Sequence, residues 1–252
     1  MTRPLIVFFT DFGHEGPYLG QMSAVLRREA PEAEVINLFA DAPAFEPQLS
    51  AYLMPAYVGE FPPGTIFLCV VDPGVGGDRR PLVLNADGNW YVGPDNGLFE
   101  MVLRRAVHVD LAAEIVWKPR RLSASFHGRD LFAPVAAELA HLTWGAMPDG
   151  DLARPTDPLR FADWPDELDR VAYIDRFGNA LTGRRAASLS DGAVLRVGDV
   201  DLPRLRTFAD APVNMPFWFE NANGLVEIAV NRGRADESLD LAVGDAILVT
   251  TP

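Results

Sequence analysis

Residues 4–31 have the sequence PLIVFFTDFGHEGPYLGQMSAVLRREAP. They begin with a short, continuous apolar run, which is typical of a strand buried on both faces of a parallel sheet. Residues 18–31 then place apolar side chains at helical spacing as far as Pro31, which predicts an amphipathic helix. A buried strand followed by a helix is the repeating unit of an α/β fold.

Further segments continue this alternation along the chain. In order they are a strand at 33–39, a helix at 47–58, a strand at 64–74, a two-stranded hairpin at 82–93 and a helix at 128–142. The hairpin is indicated by its turn sequence, Ala86-Asp87-Gly88-Asn89. Together these segments predict an N-terminal α/β domain at residues 1–150, with three layers and a mostly parallel sheet.

The remainder of the chain changes character twice. Residues 151–167 are dense in Pro and Asp, which is typical of a linker between domains. After them come short β-rich segments, bounded by Gly, Asn, Asp or Pro, at about 8–12-residue spacing. This pattern predicts a second domain at 168–252, a small antiparallel β-barrel or sandwich.

Composition excludes several classes of partner. The 252 residues carry a formal net charge of -13, which would repel nucleic acids and anionic membrane surfaces, so we expect neither as a partner. Cys69 is the single cysteine, which excludes a disulfide within the chain. The N-terminal apolar stretch is too short for a signal peptide and no apolar run is long enough to span a bilayer, so we expect a cytoplasmic protein.

Three polar clusters follow predicted strands or open a predicted helix, which is where open α/β sheets bind ligands. They are TDFGHEG at 10–16, VDPGVGGDRR at 71–80 and SFHGRD at 125–130. Taken singly, Asp11 could cap a helix, Asp72 could belong to an ordinary turn and His127 could be a core histidine. Taken together, the clusters supply a carboxylate, a guanidinium and an imidazole, a set able to position and deprotonate a water molecule.

Two other kinds of site use overlapping residues. A phosphate-binding loop could be made by Gly74, Gly76 and Gly77, but neither the dinucleotide-binding nor the P-loop glycine spacing is present. A metal could be bound by residues of suitable type, namely Asp11, His14, Glu15, Asp72 and His127. Because no metal-binding motif connects them, we expect no metal and no cofactor.

Five sequence blocks carry a family resemblance. They are FTDFGHEGPYLGQM, VVDPGVGGDRRPLV, YVGPDNGL, FHGRDLFAPVAA and YIDRFGNALT. In this order and spacing they closely resemble the SAM (S-adenosylmethionine) hydroxide adenosyltransferases, a family homologous to the SAM-dependent chlorinase and fluorinase. The resemblance runs from about residue 4 to residue 250.

The resemblance implies a fold, an assembly and a reaction. The fold is an N-terminal α/β domain followed by a C-terminal β-barrel, and the assembly is a homotrimer with each site between the N-terminal domain of one subunit and the C-terminal domain of its neighbour. The reaction converts SAM, as substrate, and water into adenosine and methionine, with the R-sulfonium epimer as a preferred substrate. The alternatives are an adenosine or SAM sensor without turnover, a SAM-dependent halogenase and a metal-dependent hydrolase.

The resemblance also assigns the catalytic residues. The hydroxide-using members carry an Asp-Arg-His set that matches Asp72, Arg79 and His127, whereas the halogenases carry Tyr in place of Asp72 and of His127. A carboxylate beside the nucleophile would repel halide, yet it accepts hydrogen bonds from water. Which group takes the proton from water stays open.

The substrate-binding residues implied by the resemblance fall in both domains. Asp11 matches a carboxylate that grips the ribose hydroxyls; Phe45, Ser125 and Phe126 fall in the ribose and adenine pocket; Phe177, Asn179, Glu227 and Val230 match the neighbour's contribution around adenine; Asp175 matches a contact to the methionine amine. Relatives place a ligand-binding Ser at Ala222-Asn223, so a contact from Ala222 is open. Asp95 and Asn96 lie in a shared motif to which we assign no role at this point.

Overall fold

The computed structural model describes residues 3–142, 146–190 and 192–250. The chain divides into two compact units. Unit 1 comprises Met1–Ala51 and Gly59–Phe161, and unit 2 comprises Tyr52–Val58 and Ala162–Pro252. Part of the range expected as a linker, up to Phe161, therefore lies in unit 1.

Unit 1 is built on one large sheet with helices. Its strands are β1 (Leu5–Thr10), β2 (Glu34–Phe39), β3 (Ile66–Val70), β4 (Pro81–Ala86), β5 (Asn89–Pro94), β6 (Val109–Ile115) and β7 (Ala153–Pro155). The helices in this part of the chain are α1 (Tyr18–Glu29), α2 (Pro47–Val58), α3 (Glu100–Arg105) and α4 (Ala133–Ala140), and a π-helical turn, Gly128–Phe132, runs directly into α4. The second half of α2 belongs to unit 2.

The sheet has the strand order β2-β1-β3-β5-β4-β6-β7 within the described part of the chain. The pairs β1–β2, β1–β3 and β3–β5 are parallel, and β4 and β7 are antiparallel to their neighbours. Five of these seven strands consequently run in one direction, which confirms the predicted mostly parallel sheet. The carboxyl ends of β1 and β3 lie side by side at one edge, and this is where Asp11 and Asp72 follow them.

Helices cover the sheet because successive residues of a buried strand face opposite sides. On one side Leu68 joins a buried cluster with Leu26 of α1 and Val135 of α4. On the other side Phe67 stacks on Tyr91, with ring centroids 5.2 Å apart, and Tyr91 contacts Phe99 at the start of α3. The sheet between these two packed faces gives the three layers of the prediction.

The elements that the sequence pattern did not predict are short or weakly patterned. Helix α3 has six residues, too few to show a helical repeat, and β6 is half exposed. Strand β7, three residues long, lies inside the range expected as a linker and pairs with β6. The β4–β5 hairpin is as predicted, and its turn residues Asp87 and Gly88 both have positive φ angles, the conformation of a tight primed turn.

Unit 2 contains antiparallel sheets. Its elements are β8 (Leu168–Ile174), β9 (Ala180–Arg185), β10 (Val194–Val197), β11 (Val200–Leu202), β12 (Pro216–Glu220), β13 (Leu225–Val230), α5 (Ala235–Ser238) and β14 (Leu248–Thr250). One sheet has the order β12-β13-β9-β8 and the other β11-β10-β14. The antiparallel prediction is confirmed, whereas closure into a barrel stays a prediction.

The core of unit 2 centres on Trp218, Ile228 and Leu195, which are fully buried. Among the helices of the described residues, none is both long and apolar enough to cross a membrane.

Candidate active site

The loop between β3 and β4 carries a buried ion pair. Arg79 Nε lies 3.0 Å from each carboxylate oxygen of Asp72, and Arg79 Nη2 lies 2.5 Å from Asp72 Oδ2. The Asp72 side chain is 3% exposed and that of Arg79 is 10% exposed. Such a bidentate contact fixes both side chains, because the guanidinium presents its N–H groups in a rigid plane. The Arg79 guanidinium also lies over the Phe132 ring, 5.2 Å from its centroid.

Arg79 connects this pair to His127. Its Nη2 lies 2.8 Å from His127 Nδ1. Because a guanidinium donates hydrogen bonds and cannot accept them, Nδ1 must be the acceptor, and a neutral imidazole then carries its proton on Nε2. The three residues predicted to be catalytic therefore form one hydrogen-bonded chain.

The charge state of His127 follows from its surroundings. Burial lowers the pKa of His127, and the positive charge of Arg79 lowers it further, while the carboxylates of Asp72 and Asp130 act in the opposite direction. The imidazole therefore stays neutral to a lower pH than an ordinary histidine, which keeps Nδ1 available to Arg79.

One glycine brings the two loops together. Gly76 has φ +79°, and a Cβ at this position would lie 2.3 Å from the carbonyl oxygen of Ala124. The loop that carries Arg79 can thus pass against the segment that carries His127 only because residue 76 lacks a side chain. This accounts for one of the three glycines considered above for a phosphate-binding loop.

Asp11 follows β1 and contacts Phe45. The Phe45 backbone N–H donates to Asp11 Oδ2 at 2.9 Å. Burial raises the pKa of Asp11, and the negative charge of Asp72 adds to this in a smaller way. Phe45 is 75% exposed and has φ 62°, a conformation that is strained for a bulky residue and is often found where a ligand binds.

Ser125 and Phe126 precede His127 on the same loop. Phe126 makes edge contacts with Phe12 and Tyr18, with ring centroids 5.8 Å and 5.3 Å away, and lies 5.1 Å from the Arg129 guanidinium. Ser125 is exposed, and its hydroxyl lies 3.5 Å from that of Ser123. Unit 1 therefore brings together the predicted residues Asp11, Phe45, Asp72, Arg79, Ser125, Phe126 and His127.

A second set of predicted residues lies in unit 2. Asp175 Oδ1 accepts hydrogen bonds from the backbone N–H groups of Phe177 and Asn179, at 2.8 Å and 2.9 Å, and its Oδ2 accepts one from the Asn179 side chain at 3.1 Å. These three residues and Val230 line a pocket of about 580 Å³. Phe177 is 73% exposed, which leaves its ring free to contact a ligand.

Glu227 is the buried carboxyl group of this second set. It accepts a hydrogen bond from the Asn221 side chain at 3.0 Å. Burial raises the pKa of Glu227, and the charge of Asp175 raises it further. Burial together with these two carboxylates also raises the pKa of Tyr57 to about 12. Ala222, whose contact to a ligand the resemblance left open, lies in an exposed turn.

Several residues with a place in these networks were not singled out from the sequence. They are Tyr57, Arg80 and Asn221. Tyr57 and Asn221 carry no motif signal. Arg80 follows Arg79 directly in sequence, and only the structure shows that it pairs with Asp95, at 2.6 Å. His14, considered as a metal ligand, lies 3.5 Å from Asp41 on the surface. Within residues 3–142, 146–190 and 192–250, no cluster of three or more His, Cys, Asp or Glu side chains has an arrangement that could hold a metal.

Proteins of known sequence or structure resemble the chain over nearly its full length. A relative from Thermus thermophilus, named (R)-S-adenosyl-L-methionine hydrolase, is 39% identical over 96% of this chain and 97% of its own length. One of the same name from Salinispora arenicola is 37% identical over 99% of this chain and 98% of its own length. The crystal structure of an uncharacterized conserved protein from Thermotoga maritima matches with a TM-score of 0.86 and 30% identity, over 97% of this chain and 100% of that chain.

Family profiles cover both units of the chain. The profile of the SAM hydroxide adenosyltransferase N-terminal domain matches residues 6–146, and that of the C-terminal domain matches residues 169–248. The chain thus belongs to the SAM hydroxide adenosyltransferase family.

Proposed function

We propose that this protein hydrolyses S-adenosyl-L-methionine to adenosine and methionine, with water attacking the C5′ carbon. The observation that carries the proposal is the buried, hydrogen-bonded chain of Asp72, Arg79 and His127 at the carboxyl edge of the parallel sheet. The name of the relatives supports the R-sulfonium epimer as the preferred substrate.

The reaction needs alignment and a proton acceptor. The C5′–S bond breaks as the C5′–O bond forms, and the electron pair leaves on sulfur. Methionine therefore departs as a neutral thioether and needs no general acid. One proton from the attacking water must be taken up. A positioned base typically contributes ~10²–10⁴-fold to such a step.

The hydrogen-bonding pattern favours Asp72 as that acceptor. With its proton on Nε2, neutral His127 donates a hydrogen bond and so orients the water rather than deprotonating it. A carboxylate has about four lone-pair sites, so Asp72 can hold Arg79 and still accept a proton from water. Arg79 then serves to fix the orientation of both partners.

The remaining predicted residues supply substrate binding. In the proposal Asp11 holds the ribose hydroxyls beside the Phe126 aromatic cluster, and Asp175 pairs with the methionine amine. We propose, as the family resemblance implies, a homotrimer in which each site takes unit 1 of one subunit and unit 2 of its neighbour. The division of the predicted residues between the two units is consistent with this assembly. We also propose that the protein acts in the cytoplasm without metal or cofactor.

The test is chromatography of incubations with each SAM epimer, with and without EDTA. We expect adenosine and methionine in equal amounts, unaffected by EDTA, and a loss of ~10²-fold or more in Asp72→Asn. The matched control is Asp78→Asn, the same change at an exposed position of the same loop, which should leave turnover intact.

Binding distinguishes an enzyme from a sensor. Asp72→Asn should retain its affinity for adenosine, measured by calorimetry, because Asp72 acts on the water. If the folded wild-type protein binds adenosine but leaves both SAM epimers intact, the sensor alternative replaces the hydrolase. If EDTA abolishes turnover, the metal-dependent hydrolase replaces the metal-independent one.

A further inference from the structure

The turn after β5 touches the catalytic loop at the residue before Asp72. This turn contains Asp95 and Asn96, which have no role in the proposed reaction. Asn96 Nδ2 donates a hydrogen bond to the carbonyl oxygen of Val71 at 2.9 Å, and Asn96 Oδ1 accepts one from the backbone N–H of Leu98 at 3.2 Å. The side chain of Asn96 thus connects its own turn to the peptide group that leads into Asp72.

The Val71 carbonyl lies just past the end of β3, which ends at Val70. Val71 itself is fully buried. A buried carbonyl without a hydrogen bond is costly, so a chain that lost the Asn96 donor would rotate this peptide toward another donor or toward water. Because the same peptide carries the backbone of Asp72, its rotation would move the carboxylate.

Asp95 anchors the turn from the other side. Its side chain, 3% exposed, accepts a hydrogen bond from Arg80 Nη2 at 2.6 Å and from the backbone N–H of Leu159 at 3.0 Å. Its backbone N–H donates to the carbonyl oxygen of Arg80 at 2.9 Å. The turn is therefore held at Arg80, the neighbour of Arg79, on both backbone and side chain.

Close packing of β5 against β3 brings the turn after β5 near the end of β3. A Cβ on Gly93 of β5 would lie 2.2 Å from the carbonyl oxygen of Cys69 in β3, so a glycine is needed where these parallel strands pass. This approach places Asn96 beside the end of β3.

We propose that Asn96 is a positioning residue for the Asp72–Arg79–His127 chain, acting through the carbonyl of Val71. Its side chain hydrogen-bonds to the backbone of Val71 and Leu98 and not to any of the three side chains. It fixes the peptide from which Asp72 projects, and Asp72 in turn fixes Arg79 through the bidentate contact. Arg79 then determines the tautomer of His127.

The direct test is nuclear magnetic resonance of the histidine ring nitrogens, with His127 assigned by the His127→Gln variant. In the wild type we expect the Nε2–H tautomer. The substitutions Asn96→Ala and Asn96→Ser introduce no charge. In both variants we expect a mixture of His127 tautomers, because Arg79 is no longer aligned on Nδ1. The pH midpoint of the His127 titration should also shift upward for the same reason. The charged groups near His127 besides Arg79 are Asp72 and Asp130, and neither substitution changes them.

A matched control separates positioning from general destabilisation. Asn89 lies at the opposite end of β5, and its Oδ1 accepts a hydrogen bond from the Thr65 backbone N–H at 3.2 Å. Asn89→Ala deletes a comparable contact and should leave the His127 spectrum unchanged. Two results would overturn the proposal. One is that the ring-nitrogen signals of His127 are the same in the wild type and in an Asn96 variant that folds. The other is that Asn89→Ala shifts these signals as much as the Asn96 variants do.

The kinetic arm rests on the proposed hydrolysis. For the Asn96 variants we expect kcat to fall by about 10–10²-fold while KM for SAM changes far less, because a misplacement near 1 Å can cost about 10²-fold. An unchanged kcat in these variants would overturn the proposal. If the wild type itself does not hydrolyse SAM, the proposed function fails, and the nitrogen spectra still decide whether Asn96 positions the chain.

Discussion

At the scale of single residues, the contact between Arg79 and His127 sets the tautomer of His127. A guanidinium facing Nδ1 makes the imidazole a donor at Nε2, and it opposes protonation because two positive groups would then face each other. The base that the residue types suggested could have been either His127 or Asp72. In the proposed mechanism the base is the Asp72 carboxylate, because Nδ1 of His127 is occupied by Arg79.

The lowered pKa of His127 predicts how turnover depends on pH. Neutral His127 is the form that Arg79 can hold, so kcat should persist as pH falls through the ordinary histidine value of about 6.5 and decline only below it. Measurement of kcat against pH at saturating SAM gives this midpoint. An acid limb centred at or above the ordinary value would contradict the prediction.

The same shift predicts a stability change that needs no activity. A histidine whose pKa is lower in the folded state stabilises the fold above its unfolded-state pKa, and this contribution is lost as pH falls toward the folded-state value. Urea unfolding on either side of about pH 6.5 should therefore show a smaller loss for His127→Gln than for the wild type. An equal loss in both proteins would show that His127 titrates alike in the folded and unfolded states.

At the scale of elements, the site is made by loops that pass closely at the sheet edge. Gly76 permits the loop after β3 to pass the segment before the π-helical turn, and Gly93 permits β5 to approach β3. Both positions oppose a backbone carbonyl oxygen, which cannot move aside as the end of a flexible side chain can.

Gly76→Ala is expected to separate the two loops. The new methyl group would meet the Ala124 carbonyl, and the positive φ adds strain of about 1–3 kcal/mol, so both kcat and the unfolding midpoint should fall. Gly198→Ala is the matched control, since Gly198 also has positive φ but faces open space. The control should lose some stability and keep its kcat. Full activity in Gly76→Ala would show that the close passage is not needed for catalysis.

At the scale of the whole molecule, the predicted site residues fall into two sets, one per unit. His127 belongs to unit 1 and Asn179 to unit 2. In the proposed trimer a complete site takes one set from each of two subunits. In that assembly a substitution in unit 1 and a substitution in unit 2 can be carried by different subunits, so that some sites in a mixed trimer contain neither.

Mixing inactive His127→Ala and Asn179→Ala proteins under subunit exchange should then restore activity. Every mixed ring has one interface without a mutation, so random mixing of equal amounts should recover about one quarter of wild-type activity. Exchange is checked with labelled subunits, and light scattering should give three chain masses. No recovery after demonstrated exchange, or a fully active monomer, would place both halves of the site in one chain.

The family was identified from the resemblance of five sequence blocks. Local pattern was enough to predict the buried strands, the helices α1 and α2 and the Asp87-Gly88 turn. Each of these is encoded by neighbours in sequence, through apolar runs, helical spacing or turn chemistry. The same pattern missed α3 and β7, which are too short to show a period, and β6, which is half exposed; β7 is held within unit 1 by its pairing with β6.

The roles inside the site depended on folding instead. Arg79 and His127 lie 48 positions apart, and Asn96 lies 25 positions from Val71, so no local signal reports that they meet. Residue types and the family resemblance named the proposed catalytic set, but the tautomer of His127 and the anchoring of Val71 follow from hydrogen bonds between distant segments. Those bonds form because a parallel sheet brings the carboxyl ends of strands far apart in sequence to a single edge.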